Sequence, residues 1–446
     1  MRVLLNPFSQ FMAKFDDKTK DAGFACACWG LIFLYFLRNV GLLDTRYLYC
    51  FAAGCFFLGI MILCSMRGDL SAVSIKINKP FFVVWMLYGG LQLVSGIINN
   101  VDWLPEAVLI LVAYPIFFWV LNSWDVDKAF SIFTKVCAAS FVVFLVLCFL
   151  FFPLVTAQYT GAFTNQNGAG QYLSVVLCCL MIEIFEGSHS KKGHLICNLI
   201  LAGAACALLI YTGSRTGMLS VLVAFSLYMV LRFIKDKKKK ELFKRMAALI
   251  LVLIVSYFAV AWFFGLRQYL PIPAYDNIEH QFYDLSDDFV GGTEVLKQTS
   301  KMNNQKMNLA GKDIDAVSTG RTTIWRVYAE KLNWRGHKTA GPLYVKEFEK
   351  IPWRSNFAGS AHNFQLQQAY NHGILAGIIA LVLNVYGGIL AVIYALKKNG
   401  PYSAMPLVVI ISFGVTSLLA STTISFYYLI LLYYFFMHAP LLMEKV

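Results

Sequence analysis

Apolar runs of about twenty residues recur along nearly the whole chain, and they decide what it can fold into. A helix needs roughly 20 apolar residues to cross the hydrocarbon core of a bilayer. Runs of that kind stand near 22–37, 47–66, 80–98, 105–122, 136–156, 170–186, 194–212, 217–233, 246–265, 372–396, 403–420 and 424–441. Lipid offers backbone N–H and C=O groups no partner, so such segments must satisfy them internally, as helices do. The expected fold is therefore an all-α integral membrane protein with about 12 transmembrane helices. Only Ser421, Thr422 and Thr423 divide the last two. Composition agrees: 58% of residues are apolar and 14% charged, where soluble proteins have about 45–50% and about 25%. A soluble enzyme of several domains, a disordered chain and a nucleic-acid binder are excluded. Asp16, Asp17, Lys18 and Lys20 precede the first run with no signal-peptide cleavage pattern, so that run is read as a retained span.

The net charge of +13 has to be read by position. One set of connections carries Arg2, Lys14, Lys18 and Lys20, then Arg67, Lys76 and Lys79, then Lys128 and Lys135. The same set holds Lys191 and Lys192, the run from Arg232 to Arg245, Lys397, Lys398 and Lys445. The opposite short connections hold only Arg38, Arg46 and Arg215. The positive-inside rule then places both termini in the cytoplasm. Lys237–Lys240 resembles a nucleic-acid patch out of context, but beside two spans it reads as a topology anchor at an anionic leaflet.

The pattern is interrupted between spans nine and ten by residues 267–361, which divide the chain into a membrane domain 1–266, one large exported loop, and a membrane domain 362–446. Structureless loops of that length are uncommon unless functional. This one carries Trp325, Trp334, Trp353, Tyr328, Tyr344, Phe348 and Phe357 among charges of both signs, and contains no cysteine. A disulfide framework and a thiolate zinc site are thereby excluded there. A transporter is the competing class, but the spans are nearly free of the midplane ionisable groups that ion-coupled transport uses. Glu183 and Glu186 stand toward a cytoplasmic end.

Three segments on the exported side could carry chemistry. In Gly213-Ser-Arg-Thr-Gly217, Arg215 is either an anion site approached through flanking glycines or an arginine snorkelling at a helix end. In Ser318–Leu332, Ile324, Tyr328 and Leu332 recur at i, i+4 and i+8, the spacing of an amphipathic helix. Ser318 or Thr319 would cap it, and Arg321 would lie in its first turn, where a cation opposes the helix dipole unless an anion occupies that end. Arg326 and Glu330, four apart, read as a surface ion pair. In Ser360–Gly377, His362 precedes a helix at the water–lipid boundary, as a general base or as a capping or headgroup-contacting residue. His372 reads as structural beside Gly373. Asn165 and Asn167 bind a sugar or make a turn. Asp313-Ile-Asp315 has the look of a divalent-cation pair, but Asp125-Val-Asp127 repeats it on the other side, so both are read as solvated acids.

At these residues the chain resembles the bacterial O-antigen ligases and related O-antigen polymerases, GT-C-like membrane glycosyltransferases. The resemblance rests on Gly161-Ala-Phe-Thr-Asn-Gln-Asn167, Ser214-Arg-Thr-Gly217, Gly320-Arg-Thr-Thr-Ile-Trp325 and His362-Asn-Phe-Gln-Leu-Gln367 leading to Gly373-Ile-Leu-Ala-Gly377, in that order and on one side. The first five spans contribute only topology. Thr339-Ala-Gly-Pro-Leu343 stands where the family often shows a Pro-hydrophobic-Gly-x-Gly step, an imperfect fit. The resemblance implies an inverting, metal-independent and cofactor-free transfer at the outer face of the bacterial cytoplasmic membrane. The donor would be a glycan on undecaprenyl diphosphate, the acceptor a lipid A-core or lipid-linked glycan. Arg215 and Arg321 would neutralise the diphosphate, His362 would take the acceptor proton, and Asn165, Asn167, Asn363 and Gln367 are the candidate sugar-binding amides.

Overall fold

The computed structural model describes residues 2–39, 47–67, 74–151, 159–163, 165–187, 192–235, 239–267, 321–338, 343–344, 357–358, 360–420, 422 and 429–445. It is an all-α membrane protein. The helices follow in chain order as α1 (Arg2–Met12), α2 (Asp17–Asn39), α3 (Tyr47–Ser65), α4 (Lys79–Ile98), α5 (Leu104–Val108), α6 (Tyr114–Ser123), α7 (Val126–Phe151), α8 (Gln166–Glu186), α9 (Lys192–Thr212), α10 (Arg215–Lys235) and α11 (Lys239–Arg267). After the long interruption come α12 (Arg321–Glu330), α13 (Phe364–His372), α14 (Ile374–Lys397), α15 (Met405–Leu419), α16 (Leu429–Phe436) and α17 (Ala439–Leu442). Among the described residues, 9 helical stretches are long and apolar enough to cross a membrane. Shorter apolar helices at Tyr49–Ser65, Met405–Leu419 and Leu429–Leu442 stand where the sequence expects spans two, eleven and twelve. The amphipathic α1, with Leu5, Ser9 and Met12 buried and Phe8 and Phe11 exposed, precedes the first span.

The centre of the bundle is α8, buried along almost its whole length against α7, α9, α10 and α15. Its crossing with α10 is close because the contact residues are small. A Cβ on Gly170 would run into the Ser214 hydroxyl, and one on Gly217 would stand 3.0 Å from the Gly170 carbonyl. Ser174 donates to the carbonyls of Gly170 at 2.6 Å and Gly217 at 3.3 Å. By contrast α11 exposes Ile250, Leu251, Ile254, Val255 and Phe258, the surface of a lipid-facing helix. The stretch from α5 to α6 passes through one π-turn, Leu109–Ala113, just before Pro115. Proline there lacks an N–H for the preceding turn, and the Trp85 indole donates to the Ile110 carbonyl at 2.8 Å.

The few strands are clasps. β1 (Ile75–Ile77) pairs antiparallel with β4 (Met443–Lys445), in register Ile75 with Lys445, tying the α3–α4 connection to the last helix. Between these, β2 (Leu343–Tyr344) pairs antiparallel with β3 (Phe357–Ala358). Most of 267–361 lies outside the described residues, including Ser318, Thr319, Asp313 and Asp315. α12 is described, and it docks by its apolar face: Ile324, Val327 and Tyr328 cluster with Ala361 and Tyr370. Leu332 packs there too, but beyond the end of the helix, on a turn. Arg326 and Glu330 face each other at 4.0 Å, both well exposed, as a surface ion pair does.

Candidate active site

At one end of the bundle, the ends of α2 and α15 and the starts of α8, α10 and α12 surround a cavity of about 420 Å³, closed by the segment before α13. Its lining includes Asn165, Asn167, Arg321 and His362, four of the residues singled out from the sequence. Ser214 and Thr216 line it on either side of Arg215, which opens α10 half-buried between them. Segments from six places between Tyr35 and Ala420 thus converge on one polar space.

Each wall has a local cause. At α10, Gly213 takes φ +61, a left-handed conformation that favours glycine, and lets the chain reverse out of α9. Ser214 then starts the helix, its hydroxyl accepting from the Gly217 amide at 3.3 Å. Gly217 packs in the α8 crossing, where a Cβ would meet Leu209 and the Gly170 carbonyl. At α8, Asn165 is the N-cap: its side-chain oxygen accepts from the Asn167 amide at 2.7 Å. The Tyr35 hydroxyl donates to the Gly168 carbonyl at 2.8 Å, joining the end of α2 to this wall, and within α2 Asn39 donates to the Tyr35 carbonyl at 2.8 Å. Arg38, in the last turn of α2, lines the cavity as well. Sequence reasoning did not select it. The available signal was its place among the few arginines on the sparsely charged side.

His362 has φ +49 and is the one non-glycine residue with positive φ among the described residues. Such a conformation costs about 1–2 kcal/mol in a residue with a Cβ, so its neighbours must hold it. They do. The Ala361 amide donates to Gln367 Oε1 at 2.8 Å. Asn363 caps α13 by accepting from the Leu366 amide at 2.8 Å and donates to the Leu418 carbonyl at 3.1 Å. Gln367 also donates to Asn371 Oδ1 at 2.9 Å. Asn363 and Gln367 do not line the cavity; their amides are engaged in the protein, on the two flanks of His362.

α13 is braced from behind by a polar seam with α4. Gln92 donates to Gln368 at 3.1 Å, Ser95 to the Asn371 carbonyl at 3.1 Å, and Asn99 to the Arg335 carbonyl at 2.6 Å. His337 stacks on Tyr370 at 3.9 Å, and Tyr370 meets Tyr328 of α12 edge-on at 4.9 Å. His372 ends α13 buried against Trp103 at 4.6 Å, and burial pushes its imidazole down to about 3, a neutral packing group. The span expected from residue 372 begins at Ile374, because Gly373 breaks the chain between α13 and α14 with φ +95.

Residues 199–381 match the family model described as O-antigen ligase. This supports the O-antigen ligase/polymerase family. The matched segment runs from α9 into α14, and so contains Arg215, Arg321, His362, Asn363 and Gln367, while Arg38, Asn165 and Asn167 stand before it. No curated protein and no solved structure matches the chain. The match and the apolar helices together are those of a multi-pass bacterial membrane protein, and the matched family implies lipid-linked glycan substrates.

Proposed function

We propose that the protein is an inverting membrane glycosyltransferase that moves a glycan from undecaprenyl diphosphate to a sugar hydroxyl of lipid A-core. The reaction would run at the outer face of the cytoplasmic membrane, with both termini inside. The observation that carries this reading is the convergence of His362 and Arg321, flanked by Arg215, on one polar cavity at one end of the bundle. Sugar nucleotides are cytoplasmic, so an outward site needs a lipid-borne donor. Diphosphate is already a good leaving group and needs charge neutralisation more than protonation, which preorganised guanidinium groups supply. The acceptor hydroxyl needs a base, the role of His362. In a single displacement the acceptor oxygen bonds to the anomeric carbon on the face opposite the departing diphosphate, and the hydroxyl proton passes to the imidazole. Arg215 and Arg321 would thus share one task, and no metal ion would be required for it.

A polymerase would use the same chemistry with a lipid-linked repeat as acceptor. The family match supports the two together, ligase and polymerase alike. Deleting the gene and resolving surface glycans on a gel separates the two: loss of all attached glycan with accumulated donor is the ligase result, single-repeat glycans the polymerase result. In a reconstituted assay with lipid-diphosphate donor, His362→Ala should lose about 10²–10⁴-fold in turnover, and EDTA should change it little. Arg215→Lys and Arg321→Lys should recover little of what the alanine variants lose, because lysine cannot make the two-pronged phosphate contact. Turnover that needs added Mg²⁺ and tolerates His362→Ala would replace this mechanism with a cation held elsewhere. Normal glycan export failing in the deletion while His362→Ala restores it would favour the transporter.

A further inference from the structure

We propose that Arg38 is a third diphosphate-binding cation, placed to meet the negative charge that develops on the leaving group. The inference rests on the glycosyltransferase reading above and adds to it a residue outside the matched segment. Three observations carry it. Arg38 lines the same cavity as His362 and Arg321. Its wall is fixed: Tyr35, one turn earlier on α2, donates to the Gly168 carbonyl at 2.8 Å, and a Cβ on Gly168 would stand 3.0 Å from Asn39 Oδ1. And the short connections on this side carry few basic residues, Arg38, Arg46 and Arg215, of which Arg38 lies on the cavity and Arg215 beside it.

Charge counting says what a third guanidinium would do. In the donor, each of the two phosphates bears one negative charge. When the bond from the anomeric carbon to the phosphate oxygen breaks, its electron pair stays on that oxygen, and the lipid diphosphate leaves with a third charge. The acceptor oxygen takes the anomeric carbon, and its proton goes to His362, so charge and atoms balance. Two arginines match the ground state; a third favours the product-like side, where stabilisation raises kcat instead of tightening substrate binding alone. The ordinary alternative is that Arg38, in the last turn of α2, only complements that helix end.

The two are separated by comparing ligands that differ by one phosphate. Arg38→Ala, Arg38→Lys and wild type in nanodiscs of a zwitterionic phospholipid are titrated with undecaprenyl diphosphate and with undecaprenyl monophosphate, and kcat and KM are measured with the glycosylated donor. The expected result for Arg38→Ala is diphosphate affinity weakened about tenfold or more, monophosphate affinity within about twofold, and kcat lowered with donor KM little changed, with partial recovery in Arg38→Lys. Equal weakening of both lipids, no weakening of either, or full recovery in Arg38→Lys would overturn it, as would equal displacement of the diphosphate by phosphatidylglycerol, which would mark a general headgroup contact. A wild type with no preference for diphosphate would remove the donor assignment itself and Arg38's role with it. A wild type with that preference whose His362→Ala variant still turns over would remove only the base and leave Arg38 in place.

Discussion

His362 keeps its left-handed backbone between two amides that hold the residues on either side of it. The Gln367 carboxamide accepts from the Ala361 amide and donates to Asn371, while that of Asn363 accepts from the Leu366 amide and donates to the Leu418 carbonyl. We expect Gln367 to act on the reaction through His362. Gln367→Leu leaves the buried Ala361 amide without its acceptor, a loss of about 1–3 kcal/mol, and frees the backbone that holds the left-handed histidine. Thermal melts in detergent should drop, and kcat should fall at least tenfold while acceptor KM stays within about twofold. Gln367→Glu, which keeps an acceptor for that N–H, should recover most of kcat. A rise in acceptor KM at constant kcat would return Gln367 to the substrate.

At the level of elements, the helices were legible and the cavity wall was not. Hydropathy locates the spans because each must cover a fixed thickness of lipid, and the three-to-four spacing of Ile324 and Tyr328 marks the buried face of α12. Nothing local announces that the end of α2 meets the start of α8: Tyr35 and Gly168 are 133 residues apart, joined by one hydrogen bond. The two glycines of Gly213-Ser-Arg-Thr-Gly217 are similarly ambiguous in the sequence. Gly213 is there for its φ, Gly217 for the α8 crossing. We therefore expect Gly217→Ala and Gly170→Ala to act by wedging the two helices apart, at about 1–3 kcal/mol each. Gly170→Ala should cost more, since its Cβ would meet the Ser214 side chain, and Gly170→Ala with Ser214→Ala should regain part of the loss. Melting temperatures of the purified variants measure this. Additive losses in the double variant would show that the crossing is not where the strain arises.

Across the whole molecule, the charges sort to the ends of the bundle, and that sorting carries the orientation. The cavity end holds Arg38, Arg215 and Arg321. The other end holds Arg67 with Asp17 at 3.0 Å, Lys128 with Asp21 at 2.6 Å, Arg232 with Glu186 at 3.7 Å and Lys398 with Glu444 at 2.7 Å. There Arg245 and Arg232 also donate to the carbonyls of Ile184 at 2.8 Å and Phe185 at 3.2 Å, cations on the last turn of α8 where the helix dipole favours them. Basic residues are held back on the cytoplasmic side during insertion, so the ion-paired end should face inward and the cavity outward. Single cysteines at Lys331, after α12, and at Lys397, at the end of α14, test this in a background freed of the native cysteines. A membrane-impermeant maleimide should label position 331 in intact cells, and position 397 only after the membrane is opened. Labelling of 397 from outside would invert the protein and put the cavity in the cytoplasm, where a lipid-borne donor is no longer needed and the argument for arginines over a sugar nucleotide's usual metal site loses its premise.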